Sequence, residues 1–125
     1  MLHANTQTER RQHKRFRAKN LMVTVQQRTK TKTGQVVNIS RGGMAVRYVD
    51  EGDLLMDAKE VSIMKNSDFF LTGVPVDVVM DLRYNDDEQF STVIERQSCL
   101  KFADLTPEQL DRLDYLIMKH CWGEA

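Results

Sequence analysis

Between residues 20 and 105 the chain is a succession of short segments in which apolar and polar residues alternate. In the segment 21–26, for example, Leu21, Val23 and Val25 occupy every second position. Because successive side chains of a strand point to opposite faces, this alternation predicts half-buried β-strands. Many short strands in succession predict an antiparallel β-barrel or a β-sandwich.

After residue 105 the pattern changes to the period of an α-helix. Thr106 is a predicted N-cap, and Pro107 suits the first helical position. The apolar residues that then recur every three or four positions are Leu110, Leu113, Leu116, Ile117 and Cys121. We therefore predict one amphipathic helix, at about 107–121, packed on the β-structure.

Three stretches within the strand region depart from simple alternation. The segment 28–34, RTKTKTG, is polar, and we interpret it as a hairpin link that ends in Gly34. The run 70–84 is long for one strand, and Gly73 and Pro75 near its start predict a bulge or an edge position. The turn-rich stretch 50–60 has a brief apolar centre, which suits a single helical turn.

Length and composition are those of one ordinary domain. The 125 residues suffice for one core, and 41% hydrophobic with 29% charged residues is typical of a soluble globular protein. No apolar run approaches the roughly 18 residues of a membrane span, and the N-terminus lacks the apolar centre of a signal peptide. Two cysteines do not make a disulfide framework. We therefore predict a cytoplasmic protein without membrane insertion, with a flexible tail at 1–9 and one domain at 10–121.

The formal net charge of zero conceals two halves of opposite charge. Up to Arg47 the chain has eleven Lys and Arg against one acidic residue, and from Tyr48 onward it has seven against seventeen. Six of the cations lie within the ten residues 10–19, which we call the arm. Such a block commonly binds anions, although a purely solubilising segment has the same composition.

The segment 36–46, VVNISRGGMAV, interrupts the strand pattern with polar residues and two glycines. Adjacent glycines let a ligand approach the main chain, and successive N–H groups in such a turn form a concavity suited to an anion. If 36–40 is a strand, Asn38 and Ser40 point to one face and offer an amide and a hydroxyl to a base edge or a phosphate. Alternatively, the two side chains simply stabilise a glycine turn. The pattern leaves both interpretations open.

Arg11 and Arg15 give the arm two guanidinium groups four residues apart. Arginine grips phosphate bidentately, pairs in the same way with O6 and N7 of guanine, and stacks on purine faces. A ligand that combines guanine bases with phosphates would use all of these modes.

Signals of catalysis are weak. His120 and Cys121 are neighbours on the predicted helix, where adjacent side chains point about 100° apart, so they make a poor metal pair. Cys99 lies in an apolar strand context, which favours an inert core thiol over a nucleophile. The chain has no P-loop and no G-x-G-x-x-G after a strand. We therefore predict a binding protein with no enzymatic activity, no metal site and no cofactor.

Taken together, these residues resemble the PilZ domain, the bacterial receptor domain for cyclic di-GMP. That family has two short motifs, R-x-x-x-R in the N-terminal arm and [D/N]-x-S-x-x-G on the barrel. Here the first is RQHKR at 11–15 and the second is NISRGG at 38–43, about two dozen residues later. The resemblance extends over about residues 9–121. The chain departs from it where the strand before Phe102 has Cys99 and Leu100 in place of a frequent glycine.

The resemblance implies a fold and a set of ligand contacts. The fold is a six-stranded, Greek-key-like antiparallel β-barrel with a C-terminal helix packed on it. The implied ligand-binding residues are Arg11, Arg15, Asn38, Ser40 and Gly43, with Arg10, Arg41 and Gly42 as secondary contacts. The motif arginines would hold a guanine edge and the phosphates from the arm side. The asparagine and the serine would read a guanine from the barrel side, and the two glycines would let the ligand sit against the backbone.

The resemblance also implies a regulatory protein. Its clustered cations should leave the arm mobile until a dianionic ligand bridges arm and barrel and orders the arm. The output, on motility, pilus assembly, exopolysaccharide synthesis or virulence, would pass through a downstream protein that the sequence does not identify. Two questions stay open: whether the protein binds one ligand or a stacked pair, and whether it is a monomer or a homodimer.

Two alternatives to this function differ in the sequence features that they need. A small β-barrel that binds single-stranded nucleic acid would use exposed aromatic residues as stacking platforms, and up to Arg47 the chain has only Phe16. We therefore predict that nucleic acid is not a partner. A PilZ-like adaptor that has lost its ligand is disfavoured by the intact motif residues.

Overall fold

The computed structural model describes residues 13–52, 55–66, 68–83 and 93–125. The predicted tail 1–9, together with Arg10 and Arg11, lies outside the described residues. The elements are β1 (Phe16–Ala18), β2 (Leu21–Gln26), β3 (Thr31–Ile39), β4 (Gly43–Asp50), a 3-10 turn (Leu55–Asp57), β5 (Glu60–Lys65), β6 (Asp68–Arg83), β7 (Ile94–Phe102), α1 (Pro107–His120) and β8 (Cys121–Glu124).

Strands β2 to β7 form a closed antiparallel barrel. Their order is β2-β5-β6-β7-β4-β3, and a further pairing of β2 with β3 closes it. After the consecutive strands β2, β3 and β4, the chain crosses over so that β5 lies beside β2, which is the Greek-key arrangement. The prediction of a six-stranded Greek-key-like barrel is confirmed.

The core contains the alternating residues that the sequence pattern marks. Leu21, Val23 and Val25 of β2 are fully buried, and so are Leu113 and Leu116 of α1, in one continuous apolar cluster. Burying a side chain of this size contributes about 1.5–3 kcal/mol, so the helix is a structural part of the barrel core.

Helix α1 begins as predicted and is anchored on β6. Thr106 and Gln109 form a capping box, in which the Thr106 hydroxyl accepts from the Gln109 N–H at 3.1 Å and the Gln109 side chain accepts from the Thr106 N–H at 3.0 Å. The Gln109 amide also donates to the Thr72 carbonyl at 2.9 Å, beside Gly73. Gly73 has φ +64° within the irregular part of β6, where the predicted bulge is found.

Gly34 does not end a polar link, and that prediction was wrong. The hairpin turn is short, with the Gln27 N–H donating to the Lys30 carbonyl, and β3 starts at Thr31. Gly34 is paired with Val23 inside the sheet. A Cβ on Gly34 would lie 2.6 Å from Val46 Cγ1, so this glycine lets two strands pack closely.

Strand β1 brings the second half of the arm into the sheet. Phe16 and Arg17 pair with Ile39 and Asn38 at the end of β3, on the same edge that β2 occupies further along. The chain bends between the two strands at Asn20, which has φ +62°. The arm is therefore not one continuous mobile element, because residues 16–18 are already hydrogen-bonded strand.

Strand β8 was not predicted. Helix α1 ends at His120, and Cys121 starts a short strand that pairs antiparallel with the free edge of β1. The arm strand thus lies between β3 and β8.

Candidate ligand-binding site

The glycine segment forms a tight turn between β3 and β4. The Ser40 N–H donates to the Gly43 carbonyl at 2.8 Å. The Ser40 hydroxyl is buried, and its oxygen accepts from the N–H groups of Gly42 at 3.0 Å and Gly43 at 3.2 Å. Ser40 therefore stabilises the turn. The two N–H groups that the sequence suggested for an anion are directed at its hydroxyl in this structure.

Asn38 has a different partner. Strand β3 ends at Ile39 and is irregular between Val36 and Asn38, so the strand alternation that would place Asn38 and Ser40 on one face does not extend to Ser40. The half-buried Asn38 side chain accepts a hydrogen bond at Oδ1 from Arg15 Nη1, at 3.1 Å. Arg15 and Asn38, one from each sequence motif and 23 positions apart, are in direct contact.

The two glycines make room for two different neighbours. A Cβ on Gly43 would lie 2.1 Å from the Leu100 carbonyl oxygen, so Gly43 allows β4 to pack against β7. A Cβ on Gly42 would lie 2.9 Å from His13 Cδ2, so Gly42 leaves space for an arm side chain. The absence of a side chain at Gly43 thus allows two barrel strands to pack, and its absence at Gly42 allows the arm to pack on the barrel.

Between the arm, the turn and β7 lies an open pocket of about 540 Å³, a size within the roughly 300–1,000 Å³ range of small-molecule sites. It is lined by His13, Arg15, Ser40, Arg41, Gly42, Gly43, Val79, Cys99, Leu100, Lys101 and Phe102. Within the described ranges its charged lining groups are Arg15, Arg41 and Lys101, and no carboxylate is among them. The pocket is therefore suited to an anion.

Arg15 is well placed to serve such an anion. Its guanidinium has five N–H donors, and within the described part of the chain one of its nitrogens is bonded, to Asn38. Its main-chain carbonyl accepts from the Ala125 N–H at 2.9 Å, which fixes the backbone. The side chain thus retains most of its donors while its position is set from two sides.

Arg41 is held differently, by an ion pair with α1. Its Nε lies 3.1 Å from Asp114 Oδ1 and its Nη2 lies 3.4 Å from Asp114 Oδ2. Both side chains are about half exposed, so the pair is solvent-screened and worth about 0–1 kcal/mol. Arg41, like His13, lines both the main pocket and a smaller cavity of about 270 Å³ between the arm and α1.

Sequence reasoning missed six residues of the pocket wall, and strand alternation could have found two of them, Cys99 and Lys101. Ser98 and Leu100 of β7 face the interior of the barrel and are fully buried. Because side chains alternate along a strand, Cys99 and Lys101 face outward, toward the pocket. The prediction that Cys99 is a core thiol was wrong for this reason. His13, inside the first motif, packs against the glycine turn, and no local pattern distinguishes it from the other cations of the arm.

In the described part of the chain, neither a metal site nor a reactive Cys121 thiol is found. Within the described residues no group of three His, Cys, Asp or Glu side chains could hold a metal ion. Burial raises the pKa of the Cys121 thiol to about 11, so it stays protonated at neutral pH. Among the described elements, no helix has the length and apolar character needed to cross a membrane.

A six-stranded barrel of this topology, with an arginine arm beside an N-x-S-x-x-G turn, is the architecture of one known domain family. The family model of the PilZ domain matches residues 9–119. This chain belongs to the PilZ domain family. Among curated proteins none matches the chain.

Solved structures with the same fold are distant in sequence. MrkH of K. pneumonia in complex with c-di-GMP has a TM-score of 0.66 and 18% identity over 88% of this chain and 52% of its own. The PilZ domain of E. coli YcgR with c-di-GMP has a TM-score of 0.65 and 14% identity over 90% of this chain and 92% of its own. The chain thus spans about half the length of MrkH. At these identities the likeness establishes the fold.

Proposed function

We propose that this protein is a cyclic di-GMP receptor in which the ligand bridges the arm and the barrel. One observation carries the proposal: Arg15 of the arm contacts Asn38 of the barrel at a cationic pocket whose described lining has no acid. Membership of the PilZ family supports it. The MrkH and YcgR neighbours, which contain c-di-GMP, support it as well.

The pocket contributes two kinds of contact that cyclic di-GMP needs. The unused donors of Arg15 match O6 and N7 of guanine or a phosphate, and Lys101 adds a point charge for a phosphate. Arg11 acts with Arg15 from the arm, and Arg10 and Arg41 are secondary contacts. A ligand with two phosphates and two guanines thereby meets both charge and base-edge donors.

The barrel residues act mainly through the shape of the site. Asn38 is not among the residues that line the pocket, and it acts by orienting Arg15 through its Oδ1. Ser40 fixes the turn by accepting two backbone N–H bonds, so its contribution to binding is the conformation of Gly42 and Gly43. Because Gly42 and Gly43 have no side chains, the ligand can lie against the main chain of the turn.

The proposed role is regulatory and not enzymatic. A ligand that binds between 13–15 and the turn would order the arm and change the surface presented to a downstream protein in the cytoplasm. The functional unit is the domain 10–121, as a monomer or a homodimer, with residues 1–9 as a tail.

Titration calorimetry with cyclic di-GMP tests the proposal. We expect binding in the micromolar range or tighter, about −8 kcal/mol or below. Cyclic di-AMP is the matched ligand control, since adenine has an amino donor where guanine has the O6 acceptor. Absence of heat from the folded protein would refute the proposal. Equal binding of generic single-stranded RNA with a steep salt dependence would favour the nucleic-acid alternative.

The change Arg15→Ala tests the site itself. It should weaken binding at least tenfold, about 1.4 kcal/mol, because charge-assisted contacts are lost. Arg28→Ala is the matched control, since Arg28 is an exposed arginine of the same basic half, in the β2–β3 turn. An unchanged affinity in Arg15→Ala would remove Arg15 from the site.

A further inference from the structure

Strand β8 lies directly against the arm, on the side away from β3. Its register places Trp122 opposite Arg17 and Cys121 opposite Ala18. Past the strand, the Ala125 N–H donates to the carbonyl of Arg15 at 2.9 Å. The residue that carries the proposed ligand contact therefore has its main chain bonded to a segment far away in the sequence.

A side-chain contact reinforces this pairing. The Arg17 guanidinium carbon lies 5.1 Å from the centroid of the Trp122 ring, within the range of a cation–π interaction. Trp122 is 54% exposed, so the core does not hold its ring in place. The contact with Arg17 is thus a specific link between the arm and β8.

Among the described residues, the arm's other contacts with the barrel are the Arg15–Asn38 hydrogen bond and the packing of His13 on Gly42 and of Ala18 on the core. On the β3 side, β1 pairs only through Phe16 and Arg17. Three cations, Arg15, Arg17 and Lys19, lie within five residues and repel one another. A three-residue edge strand with this charge would be poorly held without a second neighbour, and β8 is that neighbour.

We propose that β8 is a latch that positions the arm over the pocket, with Trp122 as the positioning residue. The inference rests on the proposed function, because it explains how Arg15 is held for the ligand. Trp122 does not line the pocket, so its effect on the ligand is transmitted through β1. When the latch is open, only a fraction of molecules presents Arg15 correctly, and the apparent affinity falls by that fraction.

The latch also couples the pocket to helix α1. Cys121 of β8 follows His120, the last residue of α1, without an intervening loop. A displacement of the helix end therefore moves the strand that holds the arm. Because coupling is reciprocal, ligand binding must in turn stabilise β8.

Three variants of the full chain test the latch by calorimetry with cyclic di-GMP. Trp122→Ala should weaken binding about threefold to tenfold. Trp122→Phe retains an aromatic face for Arg17 and should restore most of the affinity. Tyr115→Ala, which truncates an aromatic residue on α1 that is exposed to 49%, should bind as the wild type. Wild-type affinity in Trp122→Ala would overturn the proposal.

Hydrogen exchange gives a readout that needs no ligand. In Trp122→Ala, amide protection of Phe16–Ala18 should fall while protection of the barrel strands is unchanged, and Tyr115→Ala should leave both unchanged. Unaltered protection of β1 in Trp122→Ala would refute the latch even if cyclic di-GMP does not bind. A wild-type protein that gives no heat with cyclic di-GMP would instead refute the proposed function, so the two failures are distinguishable.

Trp122 is the only tryptophan of the chain, so its fluorescence reports on the latch directly. Addition of cyclic di-GMP should change the emission of the wild type, and Arg17→Ala should alter the emission of the free protein. With ligand bound, exchange at residues 121–125 should slow. If bound ligand changes neither the Trp122 emission nor the amide exchange of residues 121–125, the coupling between pocket and latch is contradicted.

Discussion

The two halves of the proposed site are built in opposite ways. The barrel half is a turn in which Ser40, Gly42 and Gly43 satisfy one another through hydrogen bonds of 2.8–3.2 Å. The arm half is a three-residue strand held between β3 and β8. The first is determined by neighbours in sequence, the second by partners far along the chain.

This difference assigns separate tasks to the halves. A turn whose groups bond internally and whose glycine packs on Leu100 has no alternative arrangement nearby, so it works as a fixed wall. A three-residue strand whose second neighbour is the short edge strand β8 opens at a lower free-energy cost than the barrel strands, so the arm is the half that responds to ligand. Substitutions within the turn should therefore change the free energy of unfolding. Substitutions at positions that contact the arm should change the affinity for cyclic di-GMP.

The largest effect is expected for Gly43→Ala. Its Cβ would lie 2.1 Å from the Leu100 carbonyl oxygen, and backbone atoms within a closed barrel cannot move aside cheaply. The free energy of unfolding should fall by about 3 kcal/mol, measured by urea denaturation. A loss below 0.5 kcal/mol, on the order of a surface change, would show that the wall is not rigid.

Ser40→Ala should have the next largest effect. It removes the acceptor of one buried N–H group, of Gly43, and one partly buried N–H group, of Gly42, which costs about 1–3 kcal/mol in the free energy of unfolding. Ser62→Ala is the matched control, because the Ser62 hydroxyl accepts one N–H, from Gly73, at an exposed position. If Ser40→Ala is as stable as Ser62→Ala but loses ligand, Ser40 contacts the ligand directly and the division of tasks is wrong.

Gly42→Ala should separate the two halves. Its Cβ would meet the His13 ring at 2.9 Å, and a side chain on the arm can move where a backbone cannot. We expect a stability within about 0.5 kcal/mol of the wild type, with an affinity for cyclic di-GMP reduced about threefold to tenfold. A stability loss as large as that of Gly43→Ala would place Gly42 with the barrel half.

The smallest effect is expected for Asp114→Asn. Releasing Arg41 from an exposed ion pair worth up to about 1 kcal/mol should tighten cyclic di-GMP binding by up to about fivefold. Asp111→Asn, a change of the same charge on an exposed position of α1, is the control. Equal tightening in both variants would indicate net charge as the cause instead of a freed Arg41.

The fold was predictable because it depends on patterns that are local and repeated. Alternation in Leu21, Val23 and Val25 and the three-to-four spacing before residue 120 each report a buried face. The site was predictable only in part. Strand β8 is four residues with no alternation, and its partner lies at the opposite end of the described chain, so nothing local announces it.

The roles of individual site residues were harder still. Asn38 and Ser40 stand two apart in the sequence, but β3 ends between them and gives them unrelated partners. The direct contact of Arg15 with Asn38 depends on β1 joining β3, a pairing that the polar and basic arm sequence does not signal. A sequence motif identifies such residues, but it does not say which of them contacts the ligand and which determines the shape of the pocket.

The pairing of Phe16 with Glu124 has a consequence for the order of assembly. Contacts between residues so distant in sequence carry the largest entropic cost of loop closure. They therefore form after the barrel hairpins, which join residues that are close in sequence. During synthesis the arm emerges early but finds its second neighbour only when residues roughly a hundred positions later have been added. We expect the ligand site to be the last part of the domain to mature, after the barrel has already folded.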